Sequence, residues 1–287
     1  MPNPALSVIV PVRDGAEELR KLLESLARQT LPRDRFETIV VDNASRDRSA
    51  SVARDLGAKV VTEPVPSRAR ARNAGVTAAS GNRFAFVDAD CVATPGWLEA
   101  LDRIAGSSPL IAGAVQVTMA EPPNAVERFE SLWRFEQGAW VTDGWAATAN
   151  LLVDREAFEA VGGFDPAYRS IGEDADFCLR AGRAGYGISY CADAVIEHPA
   201  EEDLWPMLKR SFWHGYSSAH VARRIGAGYV AWRRPRPLMH GERAATAIGI
   251  SSSRVPSDDW ATMRRLSRLA YAMRVAGSLW SELRRAR

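Results

Sequence analysis

The sequence predicts an α/β protein with a mostly parallel central sheet flanked by helices and followed by a helical, basic C-terminal tail. Three observations predict it. Residues 6–90 alternate short apolar runs with helical repeats, and strand–helix–strand order within one sheet produces right-handed parallel crossovers. The first run, Leu6–Val12, is apolar at every position but Ser7 rather than alternating, as expected of a strand covered on both faces. Basic residues gather late: residues 1–208 hold 21 basic and 31 acidic side chains, whereas residues 209–287 hold 16 and 4.

After the first strand, Asp14 stands three residues before Glu17, a capping-box spacing that opens a helix with Leu19, Leu22, Leu23 and Leu26 on the 3.6-residue period. Pro32 closes that unit. Thr38–Val41 reads as the second strand, Asp42-Asn43-Ala44-Ser45 as a turn, then a helix to about Gly57 and a short strand Lys59–Val61. Ser67 caps the next helix, which runs to Ser80-Gly81, and Phe84–Val87 is the fourth strand. Beyond Asp90 the rhythm is mixed: a helix from Trp97, a strand near 110–117, a helix near 125–137 and a strand near 147–153. Gly162-Gly163-Phe164-Asp165 is a turn, Asp174–Ala184 a helix stopped by Gly185, and short strands fall near 187–190 and 195–197. From Asp203 the chain is mainly helical, broken at Gly226, Gly228 and Arg233-Arg234-Pro235-Arg236-Pro237.

Composition excludes several classes. At 46% hydrophobic and 25% charged, the chain is neither disordered nor collagen-like. A net charge of +2 provides no general attraction to a polyanion, so no nucleic-acid partner is expected. The longest uncharged stretch, Ile104–Ala120, contains Ser107, Ser108, Pro109, Gln116 and Thr118 and is too short and polar to span a membrane. Leu6–Val12 ends at Arg13-Asp14 without a basic leader or cleavage site, so it reads as a strand rather than a signal peptide. Cys91, Cys178 and Cys191 are widely spaced and odd in number. They fit neither a disulfide framework nor a cysteine-based zinc site, which points to a reducing cytoplasm.

Ligands of open parallel sheets sit outside the carboxyl ends of the strands. Pro11-Val12-Arg13-Asp14, Asp42-Asn43 and Asp88-Ala89-Asp90 fall at three such ends and should converge on one crevice. Two carboxylates two positions apart face the same side of an extended backbone, where hard oxygen ligands can meet a divalent cation. Taken alone, Asp88-Ala89-Asp90 is equally compatible with a solvated turn.

Six segments then occur in the order and approximate spacing of family 2 glycosyltransferases: Val8-Ile9-Val10-Pro11-Val12, Val40-Val41-Asp42-Asn43-Ala44-Ser45, Ala71-Arg72-Asn73-Ala74-Gly75, Phe86-Val87-Asp88-Ala89-Asp90, Val161-Gly162-Gly163-Phe164-Asp165 and Gly172-Glu173-Asp174-Ala175-Asp176. The chain resembles that family over roughly residues 5–215. The resemblance implies the GT-A fold of nucleotide-diphospho-sugar transferases, with a Rossmann-like sheet. It implies a domain over 1–225, divided into a nucleotide-binding half (1–105) and an acceptor and catalytic half (106–225). A helical basic extension (226–287) follows.

The resemblance also implies roles. Pro11 and Asp42 lie against the nucleoside, Asp42 accepting an N–H from a uracil-like base; a plain turn-forming role is the alternative for Asp42. Arg72 faces the base or diphosphate, or else sits on a helix surface. Asp90 binds the metal, Mn²⁺ or Mg²⁺, with Asp88 and His198 as further members of the metal site, Asp88 contacting ribose or metal-bound water. Asp174 is the base that deprotonates the acceptor hydroxyl, and Glu173 orients the acceptor or its loop. A carboxylate at a helix start also caps it. Asn150 and Trp145 meet the donor sugar or acceptor, Trp145 being equally consistent with the core.

The implied activity is that of an inverting, divalent-metal-dependent hexosyltransferase that moves a sugar from a UDP-sugar to a hydroxyl-bearing acceptor. The acceptor is a glycan, cell-surface polysaccharide, lipid-linked or small molecule. A sugar-phosphate nucleotidyltransferase needs a glycine-rich loop that Pro11-Val12-Arg13-Asp14-Gly15 does not supply. A catalytically silent nucleotide-sugar-binding scaffold is the other alternative, opposed by Asp88, Asp90, Asp174 and His198 being present together. Asp42-Asn43 departs from the commoner pair of aspartates and leaves the base preference open. Trp205, Leu208, Phe212 and Trp213 beside Lys209, Arg210, Arg223 and Arg224 fit either packing or an interfacial helix on anionic lipid. The expected location is the cytoplasm, with peripheral contact at the inner face of the cell membrane through the basic C-terminal part.

Overall fold

The structure, a computed structural model, describes residues 5–168, 171–225 and 260–284. Gly226, Gly228 and the Arg233–Pro237 break lie outside the described residues. The chain divides into two compact units, Met1–Gln116 with Glu136–His198, and Val117–Phe135 with Pro199–Arg287. The expected boundaries at 105 and 225 are not where the units part. Residues 199–225 share a unit with the C-terminal helix.

The first unit is built on β1 (Leu6–Val12), α1 (Ala16–Ala27), β2 (Phe36–Asp42), α2 (Ser49–Asp55), β3 (Lys59–Thr62), α3 (Arg68–Ala78), β4 (Arg83–Val87), β5 (Val92–Ala93) and α4 (Trp97–Ile104). The sheet continues with β6 (Leu110–Thr118). Its strand order is β3-β2-β1-β4-β7-β6-β8-β5, where β7 is Asn150–Asp154 and β8 is Ile188–Pro199. β1 pairs in parallel with β2 and β4, and β2 with β3, whereas β4–β7, β6–β7 and β5–β8 are antiparallel. Leu6, Val8, Ile9 and Val10 of β1 are fully buried. Each such side chain contributes about 1.5–3 kcal/mol relative to exposure, and the one polar side chain of the run, buried Ser7, is satisfied by donating to Glu37 at 2.7 Å.

Helix α1 buries Leu19, Leu22, Leu23 and Leu26, as its period requires. Its start differs from expectation: Asp14 has φ 54°, Gly15 is the N-cap, and no side chain caps the helix. The turn is instead braced by the neighbouring β2–α2 loop. The Asp14 carboxylate accepts from the Arg46 N–H at 2.6 Å, and Asp47 accepts from the Ala16 N–H at 3.0 Å. A long-range partner thus replaces the local cap. Ser67 does cap α3, accepting from the Arg70 N–H.

An aromatic cluster ties the parallel half to the later elements. The ring centroids of Phe86 and Phe164 are 5.2 Å apart, those of Phe164 and Phe177 are 4.7 Å apart, and Phe158 lies within 5.6 Å of Phe84. Phe158 belongs to α7 (Arg155–Ala160) and Phe177 to α8 (Glu173–Arg183). The cluster therefore sets the start of α8 beside the end of β4. The two short strands expected near 187–190 and 195–197 are one strand, β8.

The helix expected near 125–137 is two, α5 (Ala125–Trp133) and α6 (Gln137–Thr142), parted where the units divide. In the second unit α5, α9 (Leu204–Ile225) and α10 (Trp260–Leu283) share a core of Phe129, Leu132, Met207, Met263 and Leu266. The complete capping box lies here, between Asn124 and Glu127 at the start of α5.

Candidate active site

Adjacent parallel strands β2, β1 and β4 run their carboxyl ends to the same end of the sheet, Val12 beside Asp42 and Ile9 beside Phe86, so Pro11, Asp42 and Asp88 gather at that end. Asp42 accepts from the Ser45 N–H at 3.0 Å, an Asx turn. Asn43 is buried and uses its whole amide. It donates to the Glu63 and Val65 carbonyls at 3.0 and 2.8 Å and accepts from the Ser67 N–H at 2.8 Å. The departure from a second aspartate thus has a local reason, since a carboxylate has no donors.

Arg72 organises the centre. Its side chain is 3% exposed, and it donates to Glu173 at 2.7 Å and to Asp88 at 3.0 Å. This corrects the helix-surface alternative: both terminal nitrogens are engaged inside the protein. A buried guanidinium needs counter-charges, and the two carboxylates supply them. Burial alone would raise the Asp88 pKa, but Arg72, then Arg68 and His198, outweigh it and hold that carboxyl below its ordinary range. Glu173 is likewise buried against Arg72.

Asp174 is half-buried at the first turn of α8 and accepts its own helix's Ala175 N–H at 2.8 Å. Burial, and next the Glu173 carboxylate, push it up to about 7. A carboxylate poised there can accept a proton from a hydroxyl near neutral pH.

Asn73, beside Arg72, donates to the Phe164 carbonyl at 2.8 Å and accepts from the Phe164 N–H at 3.0 Å. Arg180 donates to the Val161 and Gly163 carbonyls and to buried Asp176 at 2.7 Å. Together these side chains clamp the Gly162-Gly163 turn. Gly163 has φ 71°, and a Cβ there would lie 2.9 Å from both Asn73 Oδ1 and Phe158, so only glycine fits.

His198 is buried with Nε2 3.5 Å from Asp90 Oδ1, whose side chain is 44% exposed. With Cys91 they form a group whose candidate ligand atoms lie within 4.8 Å of one another. An oxygen and an imidazole nitrogen suit a divalent ion, so Asp90 and His198 fit a metal. Asp88 is not in this group; its Oδ1 is held by Arg72. All three cysteines are free and buried.

Asn150 is fully buried and cannot contact a donor sugar in this arrangement, a second correction. It accepts from Trp97 Nε1 at 2.9 Å and donates to the Ala114 and Ala194 carbonyls, each at 2.8 Å. Trp145 takes the core reading, buried and stacked on Trp140 at 4.4 Å. Sequence reasoning gave no role to Asn43, Asn73, Cys91, Asp176 or Arg180. Asn73 and Asp176 stand inside the quoted segments, whereas Arg180 had no signal beyond a helix-surface charge.

The fold and site define a GT-A glycosyltransferase. Solved structures share the architecture. A mannosyltransferase from Pyrobaculum calidifontis, in complex with GDP-Man and Mn²⁺, matches with TM-score 0.63 and 20% identity over 98% of this chain and 88% of that one. Staphylococcus aureus TarS 1-349, in complex with UDP, matches with TM-score 0.54 and 18% identity over 98% and 91%. Residues 7–147 match the model of glycosyl transferase family 2, and residues 131–281 that of glycosyl transferase family group 2. Glycosyltransferase AglE of Haloferax volcanii is 32% identical over 227 residues, covering 76% of this chain and 74% of that protein. The pre-mycofactocin glycosyltransferase of Mycobacterium tuberculosis is 30% identical over 232 residues, and the chain spans about half of its length, 48%. The chain belongs to glycosyl transferase family 2.

Proposed function

We propose that the protein transfers a hexose, with inversion, from a UDP-sugar to an acceptor hydroxyl, using Asp174 as base and a divalent cation at Asp90 and His198. The observation that carries this reading is the buried Glu173–Arg72–Asp88 chain, which links the helix start bearing the base to the carboxylate motif at the end of β4. Pro11 and Asp42 line the nucleoside. Asp88, its Oδ1 held by Arg72, offers its other oxygen to the ribose. Asp174 accepts the acceptor's proton, so the freed oxygen attacks the anomeric carbon in line, and a single displacement inverts it. Glu173, pinned by Arg72, fixes the start of α8, and burial together with the Glu173 charge keeps Asp174 largely protonated until near neutral pH. Arg72 is a positioning residue. Mn²⁺ or Mg²⁺, when bound, offsets charge on the departing diphosphate; Mn²⁺ accompanies the donor in the Pyrobaculum neighbour. GDP in that neighbour and UDP in TarS make both nucleotides worth testing.

The acceptor is a hydroxyl-bearing glycan, polysaccharide, lipid-linked or small molecule. The basic C-terminal part brings the enzyme to an anionic membrane as a peripheral protein; no helix among the described residues is long and apolar enough to cross one. The test is a thermal-shift panel of UDP, GDP and dTDP with and without Mn²⁺, on wild type and Asp90→Ala. Binding to the native state raises apparent stability by mass action. One nucleotide should stabilise the wild type only with metal and fail with Asp90→Ala; no shift under any condition overturns the donor site.

A further inference from the structure

Among the described residues, one helical face of the second unit is exposed. Helices α9 and α10 pack backbone to backbone: a Cβ at Gly215 would lie 1.8 Å from the Arg274 carbonyl oxygen, and one at Gly277 would lie 1.9 Å from that of Phe212. Met263 and Leu266 fill the core with α5, and Arg223 reaches Ser281 and Glu282 at 2.7 and 3.0 Å. That accounts for one side of α10. On the other, Leu269, Leu279, Trp280 and Leu283 are 46%, 59%, 48% and 63% exposed. Leu269, Met273, Ala276, Trp280 and Leu283 recur at i, i+4, i+7, i+11 and i+14, a single stripe of an α-helix. Met273 also borders a groove of about 330 Å³ lined by Trp205, Lys209 and Phe212 of α9. Trp205 is 67% exposed.

Isolated exposed apolar side chains are ordinary, but a continuous stripe marks an interaction surface. Its charges select the partner. Exposed Arg264, Arg265 and Arg268 stand on α10 just before the stripe and Arg284 follows it, while the one acidic residue of α10, Glu282, is engaged with Arg223. A second copy would bring arginines against arginines, a like-charge juxtaposition that disfavours pairing. Anionic headgroups neutralise them, at about 1 kcal/mol for each basic residue near the surface. Indole rings such as Trp205 and Trp280 prefer the headgroup level. With four arginines, α10 suits the membrane plane rather than a crossing.

We propose that the open face of α10, with the groove at Trp205, Phe212 and Met273, docks into the headgroup region of an anionic bilayer. This rests on the membrane contact read above and specifies its surface. The test is co-sedimentation of the full chain with vesicles of phosphatidylcholine alone or mixed with phosphatidylglycerol, alongside circular dichroism and light scattering. The wild type should partition to the mixed vesicles and much less to phosphatidylcholine. Leu279→Asp with Leu283→Asp, and separately Arg264→Glu with Arg265→Glu and Arg268→Glu, should each weaken partitioning by about tenfold or more. Both variants should keep their helical signal and nucleotide-induced thermal shift. Partitioning unchanged by the leucine pair overturns the assignment of this face while leaving membrane contact standing. No partitioning of the wild type overturns both, and neither result touches the transferase reading. A dimer that the leucine pair dissolves overturns the proposal in favour of a second copy.

Discussion

Arg72 and Glu173 lie 101 positions apart in the chain, yet the guanidinium donates to the carboxylate at 2.7 Å in the protein interior. The same guanidinium holds Asp88 at 3.0 Å. Arg72→Met should therefore strand two carboxylates beside the sheet edge and destabilise the protein by about 3–5 kcal/mol, read in urea unfolding. Arg72→Lys should recover only part, because an ammonium cannot fork between two acids as a guanidinium does. Wild-type stability in the methionine variant would show that the pair is dispensable.

Asp174 ties activity to pH. With its carboxyl raised to about 7, the rate at saturating substrates should rise as pH increases through that value. Asp174→Asn should lose on the order of 10²–10⁴-fold in rate and keep nucleotide binding. The stability effect has a definite sign. The folded value lies above the ordinary 3.8, so the favourable contribution is fully present below 3.8 and is lost as pH rises through about 7. Asp174→Asn should thus melt higher than wild type above neutrality and nearly level with it in acid, by scanning fluorimetry across pH. A constant gap at every pH would contradict this.

Asn43→Asp is nearly isosteric, yet it replaces two donors with a charge aimed at the Glu63 and Val65 carbonyls. We expect a loss of about 1–3 kcal/mol and faster amide exchange over residues 63–67. Unchanged exchange there would mean that the loop is held by other contacts.

Asn150→Ala should cost about 1–3 kcal/mol by leaving Trp97 Nε1–H and the Ala114 and Ala194 carbonyls without their partner. Donor KM should not change in the folded fraction. A raised KM with intact stability would return Asn150 to the donor site.

The elements of the first unit were legible because their signals are local. Leu6–Val12 announces a strand covered on both faces, Leu19 to Leu26 a helix stripe, and Ser67 a cap, each within a few residues. The order of six short segments was enough to indicate the family and its fold. What the sequence could not decide was which partner each polar side chain takes. Asp14 carries a capping-box spacing but braces the Arg46 N–H of the next loop; Asn150 takes a sugar contact on the family resemblance alone, but closes a knot with Trp97. Arg72 fits a phosphate ligand on its motif alone, and only the packing of α8 against β4 through Phe86, Phe164 and Phe177 brings Glu173 within reach of it. Backbone periodicity is set by neighbours along the chain, whereas the destination of a buried charge is set by whatever counter-charge the fold carries to it through space.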